Sequence, residues 1–274
     1  MRVFVCIKQV PDTTQVKINP ETNTLIREGV ASIINPFDMY AIEEGIRVKE
    51  KHDCTVTVVS MGPPQVVEAL REAISLGADE AYLLSDRAFA GADTLATAYT
   101  LAAGIRKLGG ADLIILGRQA IDGDTGQVGP GLAENMGIVH ITDVRKIENI
   151  DGATITVERL LEEGFVRLRT QLPVLLTVVK EINEPRLPSL KGKLRAKKAT
   201  VEILKVEDLD IDQERIGLSG SPTQVMRIFT PPRPDRGKIF QGDVRDAVGD
   251  LLQELAAAEI PIRKNVKGGG HGAD

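Results

Sequence analysis

The sequence contains no tryptophan, and aromatic residues make up only 3% of its 274 residues. The core must therefore be built mainly from valine, isoleucine, leucine and alanine. Two cysteines are present, Cys6 and Cys54, which is too few for a disulfide framework, a four-cysteine zinc site or an iron–sulfur cluster. The three histidines, His52, His140 and His271, have no ligand-like spacing. We therefore predict a reducing, cytoplasmic location and no bound metal.

An excess of positive charge and a long apolar run are also missing. The formal net charge is −5, which argues against nucleic-acid binding. No apolar run is long enough to span a bilayer, so we predict no membrane insertion. The first residues, MRVFVCIKQVPD, are typical of a strand rather than of a secretion signal, because Lys8 and Pro11 interrupt them. No Ser/His/Asp order or pair of carboxylates indicates a hydrolase.

The first half of the sequence alternates between strand-like and helix-like segments. Strands are predicted at residues 2–8, 54–62, 80–86 and 112–117, and helices at 38–52, 64–77, 93–109 and from the next loop to about 136. Asp38 and Asp93 stand where helix caps are expected, and Gly77 stands at a helix end. Strands that alternate with helices predict a parallel sheet with right-handed crossovers.

The alternation of strand-like and helix-like segments ends at about residue 140. Residues 153–179 resemble an antiparallel meander, which we place at the edge of the sheet. From 205 to 240 there is little helical period and much turn chemistry, and an amphipathic helix follows at 243–259. A long stretch without regular structure is unusual inside a compact domain and favours an arm that packs on another subunit. We predict an α/β nucleotide-binding domain at 1–180, a partner-recognition loop at 181–204 and a C-terminal arm at 205–274.

Glycine-rich segments follow the predicted parallel strands, most clearly in GRQAIDGDTGQVGPG at residues 117–131. Ligands of open parallel sheets bind beyond the carboxyl ends of the strands. Glycine turns before helices present backbone N–H groups there, which suits a phosphate, and Thr94, Thr125 and Gln127 can add neutral donors. Asp122 and Asp124 would repel a phosphate, so we expect them to cap the helix or to accept hydrogen bonds from sugar hydroxyls.

This glycine pattern alone leaves two interpretations open. The spacing is neither that of the dinucleotide fingerprint G-x-G-x-x-G nor that of a Walker A loop. A nucleotide cradle is favoured, but a glycine-rich turn with an aspartate cap and no ligand would give the same pattern. Cys6, in the first strand, is expected to be a buried core thiol rather than a nucleophile.

Longer motifs make the sequence recognisable. VCIKQVPDT, NPFDMYAIEEGIRVKE, VVSMGPP, GRQAIDGDTGQVGP and NEPRLPSLKGKLRAKK resemble the beta subunits of electron-transfer flavoproteins, and the likeness extends to about residue 262. The resemblance implies a Rossmann-like sheet of the adenine-nucleotide-hydrolase type. It also implies a heterodimer with a larger alpha subunit that carries FAD on a mobile domain, and a C-terminal arm that wraps this partner.

The family has two forms, which differ in what the beta subunit binds. The simple electron carrier holds structural AMP, whereas the electron-bifurcating form holds a second FAD that accepts a hydride from NADH. SDRAFAGADTLAT, DGDTGQVGP and GSPTQVMRIFTP resemble the bifurcating form. The resemblance therefore favours FAD over AMP, with ferredoxin or flavodoxin as the low-potential acceptor. An acyl-CoA dehydrogenase-like or quinone-linked partner would lie on the high-potential path.

The resemblance also implies which residues contact the nucleotide, while the cofactor performs the chemistry and no side chain need be catalytic. The expected cofactor-binding residues are Cys6 through its backbone, Asn35, Pro36, Phe37, Asp38, Met61, Ala92, Asp93, Thr94, Gly117, Arg118, Gln119, Ala120, Ile121, Asp122, Gly123, Asp124, Thr125, Gly126, Gln127 and Val128. A stand-alone nucleotide-binding regulatory protein with the same sheet remains a further alternative.

A basic segment near residue 190 resembles the loop with which the family docks its redox partners. There, Leu190 would be an apolar anchor within a charged rim that includes Lys191, Lys193 and Arg195. A solvated, flexible loop with no partner is the plainer interpretation of the same residues.

Overall fold

A computed structural model describes residues 1–12, 17–18, 25–26, 31–226 and 237–260 of the chain. The chain divides into two compact units, Met1–Ile228 and Phe229–Asp274. The predicted α/β class is confirmed, because a nine-stranded, mostly parallel sheet with helices on both faces dominates the first unit.

The sheet has the strand order β11-β10-β9-β12-β8-β1-β6-β7-β13. Neighbours from β9 to β13 in that order pair in parallel, whereas β10 is antiparallel to both β9 and β11. Its strands are β1 (Arg2–Cys6), β6 (Thr55–Met61), β7 (Glu80–Leu84), β8 (Leu113–Gly117), β9 (Val139–Asp151), β10 (Thr154–Leu161), β11 (Gly164–Gln171), β12 (Val174–Val178) and β13 (Glu202–Leu204). Two short ladders lie outside it, formed by β2 (Gln9–Pro11) with β5 (Ser32–Ile34) and by β3 (Lys17–Ile18) with β4 (Leu25–Ile26).

The helices are α1 (Pro36–Lys51), α2 (Val67–Leu76), α3 (Thr94–Lys107), α4 (Val128–Met136), α5 (Leu190–Lys198) and α6 (Val244–Ala257). Helices α1, α2 and α5 pack on one face of the sheet and α3 and α4 on the other, whereas α6 belongs to the second unit. Alternate side chains of β1 divide between two cores: Val3 and Val5 pack with α1 and α2, whereas Phe4 and Cys6 pack with α3 and α4. Apolar runs such as LIILG in β8 are buried along their whole length, as expected for a strand covered on both faces.

Glycine allows the tight packing of helices on this sheet. A Cβ added to Gly45 of α1 would lie 2.9 Å from Val5 Cγ2, and one added to Gly104 of α3 would lie 2.8 Å from Leu84 Cδ1. Gly77 ends α2 with a φ of 145°, which confirms the predicted helix stop.

The meander prediction is correct only in part. Strands β9, β10 and β11 form an antiparallel extension at one edge of the sheet, as expected. Residues 174–178, however, form β12, which runs parallel to both neighbours and lies between β8 and β9. All five of its residues are buried, so apolar burial on both faces draws this strand into the sheet interior.

The compact unit extends further along the chain than the predicted boundary at residue 205. Strand β13 pairs with β7, and Leu209 and Ile216 are buried in the core that lies on the α3 side of the sheet. The second unit contains α6, which has no buried residue. Parts of the predicted arm, residues 227–236 and 261–274, lie outside the described residues. Whether the arm wraps a partner stays a prediction.

None of the helices in the described ranges combines the length and the apolar character needed to cross a membrane.

Candidate functional site

A cavity of about 920 Å³ opens at the carboxyl ends of β1 and β8. From β1 the chain proceeds to β6 on one side, whereas from β8 it proceeds through α4 to the opposite side. The cavity therefore lies at the point where strand order reverses, which is the position where open α/β sheets bind ligands. Its volume is near the upper end of the range for small-molecule sites, about 300–1,000 Å³.

Asn35 holds the loop that follows β8, which we call the β8 loop (residues 118–127). This side chain is 1% exposed, and its Nδ2 donates to the carbonyl oxygen of Gln119 at 2.8 Å. Its Oδ1 accepts a hydrogen bond from the amide of Ile121 at 3.1 Å. Because both ends of the amide group are used, the loop is fixed before any ligand enters.

Asp38 joins the ends of the two strands that flank the cavity. Its carboxylate accepts hydrogen bonds from the amides of Lys8 at 2.7 Å and Gly117 at 3.2 Å. Burial raises the pKa of Asp38 to about 7, although these two amides and Asn35 act in the opposite direction. A Cβ on Gly117 would lie 2.4 Å from Asp38 Oδ1, so glycine is required there by this close approach.

The predicted capping role of Asp38 is wrong. The N-cap of α1 is Asn35, whose side chain bonds to the β8 loop and makes no capping hydrogen bond to the helix, and Asp38 lies inside the first turn. Its carboxylate instead accepts hydrogen bonds from the amides at the ends of the two strands and so links them.

The two aspartates of the β8 loop are paired with neighbours in the cavity wall. Lys8 Nζ contacts both carboxylate oxygens of Asp122, at 2.7 and 2.8 Å, and Gln119 Nε2 donates to Asp124 Oδ1 at 2.9 Å. Neither aspartate caps α4, whose N-cap is Gln127 without a side-chain hydrogen bond. The capping alternative is therefore wrong, and Lys8 offsets the repulsion that Asp122 would exert on a phosphate.

Backbone amides at the end of the β8 loop are available to a ligand. Within the part of the chain that the structure describes, the amides of Thr125, Gly126 and Gln127 have no hydrogen-bond acceptor. All three residues line the cavity, and they immediately precede the positive end of α4. Gly126 has a φ of 62°, which suits glycine. This set of donors fits the negatively charged oxygens of a phosphate or diphosphate.

The start of α3 offers fewer donors than we predicted. Asp93 caps this helix as expected, since its Oδ1 accepts hydrogen bonds from the amides of Leu95 at 2.9 Å and Ala96 at 3.1 Å. Those two amides are therefore not available to a phosphate. Partial desolvation raises the pKa of Asp93, but hydrogen bonds from Thr223 and from backbone amides outweigh it and hold the pKa below its usual value.

The thiol of Cys6 is unsuited to nucleophilic chemistry. It is 4% exposed, and burial together with the negative charge of Asp38 raises its pKa to about 12. It therefore stays protonated at neutral pH, as expected for a core cysteine.

The cavity brings together most of the predicted cofactor-binding residues. Three of them, Pro36, Phe37 and Asp124, are not among the described residues that line it. Nine further described residues line the cavity and were not predicted: Ile7, Lys8, Pro11, Ser32, Thr97, Leu101, Leu116, Gly129 and Val225. For Lys8 a signal existed, because it follows the first strand directly at the binding edge. For Val225 the signal was the resemblance of GSPTQVMRIFTP to the bifurcating form, although no local pattern placed it beside the strand ends.

Within the predicted partner-recognition segment, residues Leu190–Lys198 form a helix rather than a flexible loop. Leu190 begins α5 and is 76% exposed, and Lys191 and Lys193 are also exposed. Arg195 is engaged within the fold, because its Nη2 donates to the carbonyl oxygens of Ile74 at 2.5 Å and Ala78 at 2.7 Å. It therefore helps to fix α5 on the end of α2.

A second anchor of this segment was not predicted. Arg186 donates through Nε to Glu43 Oε2 at 2.7 Å and through Nη1 to Glu50 Oε1 at 2.5 Å. Glu43 is 3% exposed and also pairs with Arg47 at 2.6 Å. This network ties the chain before α5 to the middle of α1.

Comparison with known proteins places the chain in a family. The family model described as electron transfer flavoprotein domain matches residues 22–209. The electron transfer flavoprotein subunit beta of Thermoanaerobacterium thermosaccharolyticum is 53% identical over 261 residues, covering 95% of this chain and 100% of the relative.

Two further relatives have different names. The caffeyl-CoA reductase-Etf complex subunit CarD of Acetobacterium woodii is 49% identical, covering 95% of this chain and all of the relative. The protein FixA of Azorhizobium caulinodans is 48% identical, covering 84% of this chain and 85% of the relative. With a family model over most of its length and relatives of this identity, the chain belongs to the electron transfer flavoprotein family as a beta subunit.

Proposed function

We propose that the chain is the nucleotide-holding beta subunit of an electron-bifurcating electron-transfer flavoprotein, with FAD in the cavity beyond β1 and β8. The observation that carries the proposal is the row of unpaired amides at Thr125, Gly126 and Gln127 beside the start of α4. The chemistry that FAD supplies when bound is hydride acceptance from NADH, followed by electron transfer along a high-potential path through alpha-subunit FAD and to low-potential ferredoxin or flavodoxin.

The residues of this chain bind and orient, and none is required as an acid or base. The amides at 125–127 would hold the phosphates, with the α4 dipole behind them. Asn35 and Asp38 keep the β8 loop in place through their hydrogen bonds to Gln119, Ile121 and Gly117. The Lys8–Asp122 pair makes the nearby wall close to neutral in charge.

Cavity size favours FAD over AMP. A volume of about 920 Å³ is near the upper end for small-molecule sites and leaves room for a dinucleotide. The motifs SDRAFAGADTLAT and DGDTGQVGP, which resemble the bifurcating form, border this cavity. A simple electron carrier with structural AMP in the same cavity is the second candidate, because a single phosphate could use the same amides.

We further propose that the chain pairs with a larger alpha subunit and that α5 docks a redox partner. The exposed Leu190 within a basic rim supports this docking role. The name of CarD associates that relative with a caffeyl-CoA reductase, which supports a partner of the acyl-CoA dehydrogenase type, and a quinone-linked partner is the alternative.

Cofactor stoichiometry of the co-expressed heterodimer tests the proposal. We expect two FAD molecules per heterodimer and bleaching of flavin absorbance when NADH is added without other proteins. One FAD with one AMP, and no response to NADH, would favour the simple carrier. A stable, nucleotide-bound homodimer of the chain alone would instead favour a regulatory nucleotide-binding protein.

A further inference from the structure

A segment near the C-terminal end of the first unit lies against the cavity, and we call residues 221–226 the strap. Its first residue, Ser221, accepts a hydrogen bond from the amide of Asp93 at 2.8 Å and donates to the carbonyl oxygen of Gly217 at 2.6 Å. The chain before the strap is packed closely, since a Cβ on Gly217 would lie 2.0 Å from the carbonyl oxygen of Ala88. The start of the strap is therefore fixed to the wall beside α3.

Thr223 makes the second attachment of the strap. Its amide and its hydroxyl both donate to Asp93 Oδ2, at 3.1 and 2.8 Å. The other carboxylate oxygen of Asp93 caps α3, and Asp93 itself lines the cavity. Hydrogen bonds hold the pKa of Asp93 below its usual value, so the carboxylate is ionised at neutral pH and its bonds to Thr223 are charge-assisted.

Two residues after Thr223, the strap contributes Val225 to the cavity wall. Val225 lines the cavity yet is 81% exposed, so most of its apolar surface remains available for contact with a ligand. The next residue, Met226, is 90% exposed and is not among the described residues that line the cavity. Val225 and Met226 are thus both apolar and highly exposed, but of the two only Val225 lines the cavity.

We propose that the strap retains the nucleotide: the Thr223–Asp93 hydrogen bonds hold Val225 over the cavity, and a bound nucleotide leaves only after these bonds open. This inference rests on the proposed nucleotide function but not on the choice between FAD and AMP. The bonds are exposed to solvent, so the strap can open locally without unfolding of the sheet. Local opening of this kind makes the strap a determinant of the release rate.

The release rate of radiolabelled nucleotide from the purified heterodimer tests the strap. Labelled FAD would be chased with unlabelled FAD, or labelled AMP with unlabelled AMP if AMP is what the complex holds. Thr223→Val removes the hydroxyl donor at nearly constant shape, whereas Thr223→Ser keeps it. We expect about tenfold faster release from the Val variant, which corresponds to about 1.4 kcal/mol, and a rate close to the wild-type value from the Ser variant.

A second pair of variants tests the role of Val225. Val225→Ser should accelerate release several-fold, and Met226→Ser should leave it unchanged. Because both positions are highly exposed, neither substitution should disturb folding. If the complex holds two flavins, only one of the two release phases should respond to the variants.

The possible outcomes distinguish a failure of the strap inference from a failure of the proposed nucleotide-binding function. If the wild-type heterodimer holds no nucleotide beyond the alpha-subunit FAD, the proposed function fails. If a nucleotide is present in this chain but the Val variant releases it within twofold of the wild-type rate, the strap inference is overturned. Equal acceleration by Thr223→Val and Thr223→Ser, or by Val225→Ser and Met226→Ser, would overturn it too.

Discussion

The β8 loop and helix α5 are both polar regions of one compact unit, yet their side chains are arranged in opposite ways. In the β8 loop the charged groups are paired within the wall, as Lys8 with Asp122, and the unpaired donors are backbone amides beside a cavity. On α5 the exposed side chains include Leu190, Leu194 and several lysines, and the helix is anchored to the fold through Arg195. A concave region with fixed main-chain donors suits a small anion, whereas a convex helix with an exposed apolar residue suits a protein partner.

The two regions also depend on the rest of the fold to different degrees. The β8 loop is held by buried residues of α1, Asn35 before its first turn and Asp38 within it. The outward face of α5 can change without loss of any buried contact. This difference predicts that variants of the β8 loop and its supports affect both stability and nucleotide binding, whereas variants of the exposed face of α5 affect partner binding alone.

The largest effect is expected from Asn35→Ala. This change leaves the part-buried amide of Ile121 and the carbonyl of Gln119 without their partner, so we expect a loss of about 2–4 kcal/mol of unfolding free energy. Thermal unfolding of the heterodimer should show a Tm lower by roughly 5–10 °C, with loss of the beta-subunit nucleotide. Asn149→Ala, at an exposed position of β9, is the control and should leave both unchanged. A normal Tm for Asn35→Ala would refute the supporting role.

The second-largest expected effect is the pH dependence of stability that results from Asp38. Its folded-state pKa of about 7 lies above the ordinary value of 3.8, so the folded protein binds the proton more tightly than the unfolded chain. The resulting stabilisation is complete below about pH 3.8 and is lost as the pH rises through 7. Relative to Asp38→Asn, the wild type should therefore lose a few kcal/mol of stability between pH 5 and pH 8. Parallel Tm–pH curves for the two proteins would contradict this.

Smaller but more specific is the effect expected of Gly123→Val. A Cβ at Gly123 has no neighbour within 4 Å, so the fold should accept the side chain. The side chain would stand in the approach to the amides, and we expect about tenfold weaker nucleotide binding, or about 1.4 kcal/mol, at an unchanged Tm. Gly126→Val is the comparison, because its φ of 62° should cost stability as well. Titration calorimetry on nucleotide-depleted heterodimer would measure both, and wild-type affinity in Gly123→Val would exclude close approach at this point.

The smallest effect on the fold itself is expected from Leu190→Ala. The side chain is 76% exposed, so the unfolding free energy should change by less than about 0.5 kcal/mol. Affinity for the proposed redox partner, such as a dehydrogenase of the acyl-CoA dehydrogenase type, should fall about tenfold if Leu190 is an anchor. Leu218→Ala, at an exposed leucine elsewhere, is the matched control for surface plasmon resonance. Equal binding by the two variants would remove α5 from the docking surface.

Much of the parallel sheet could be predicted because its signals are local. Apolar runs such as RVFVC and LIILG, and stops such as Gly77, depend on residues close in sequence. The position of β12 between β8 and β9 could not be predicted from local signals, because these pairings join residues far apart in sequence. Four of the five residues of β12 are apolar, interrupted only by Thr177, which was a usable signal for a strand buried on both faces.

The candidate site was predictable in outline and not in its internal contacts. The glycines and the resemblance indicated the β8 loop, but the roles of Asp38 and Asp122 depend on partners far away in sequence, the amide of Gly117 and the ammonium of Lys8. From local sequence, an aspartate near a helix start is predicted to cap the helix. Here the contacts with distant residues determine the role of each aspartate instead. Val225 also lines the cavity from far along the chain, two residues after the Thr223–Asp93 hydrogen bond.

The proposed nucleotide site can be tested by an experimental structure of the heterodimer purified with its own nucleotide. We expect two linked phosphates beyond β1 and β8, with their oxygens within hydrogen-bond distance of the amides of Thr125, Gly126 and Gln127. A monophosphate alone at that position, or a nucleotide bound elsewhere with those amides facing water, would contradict it.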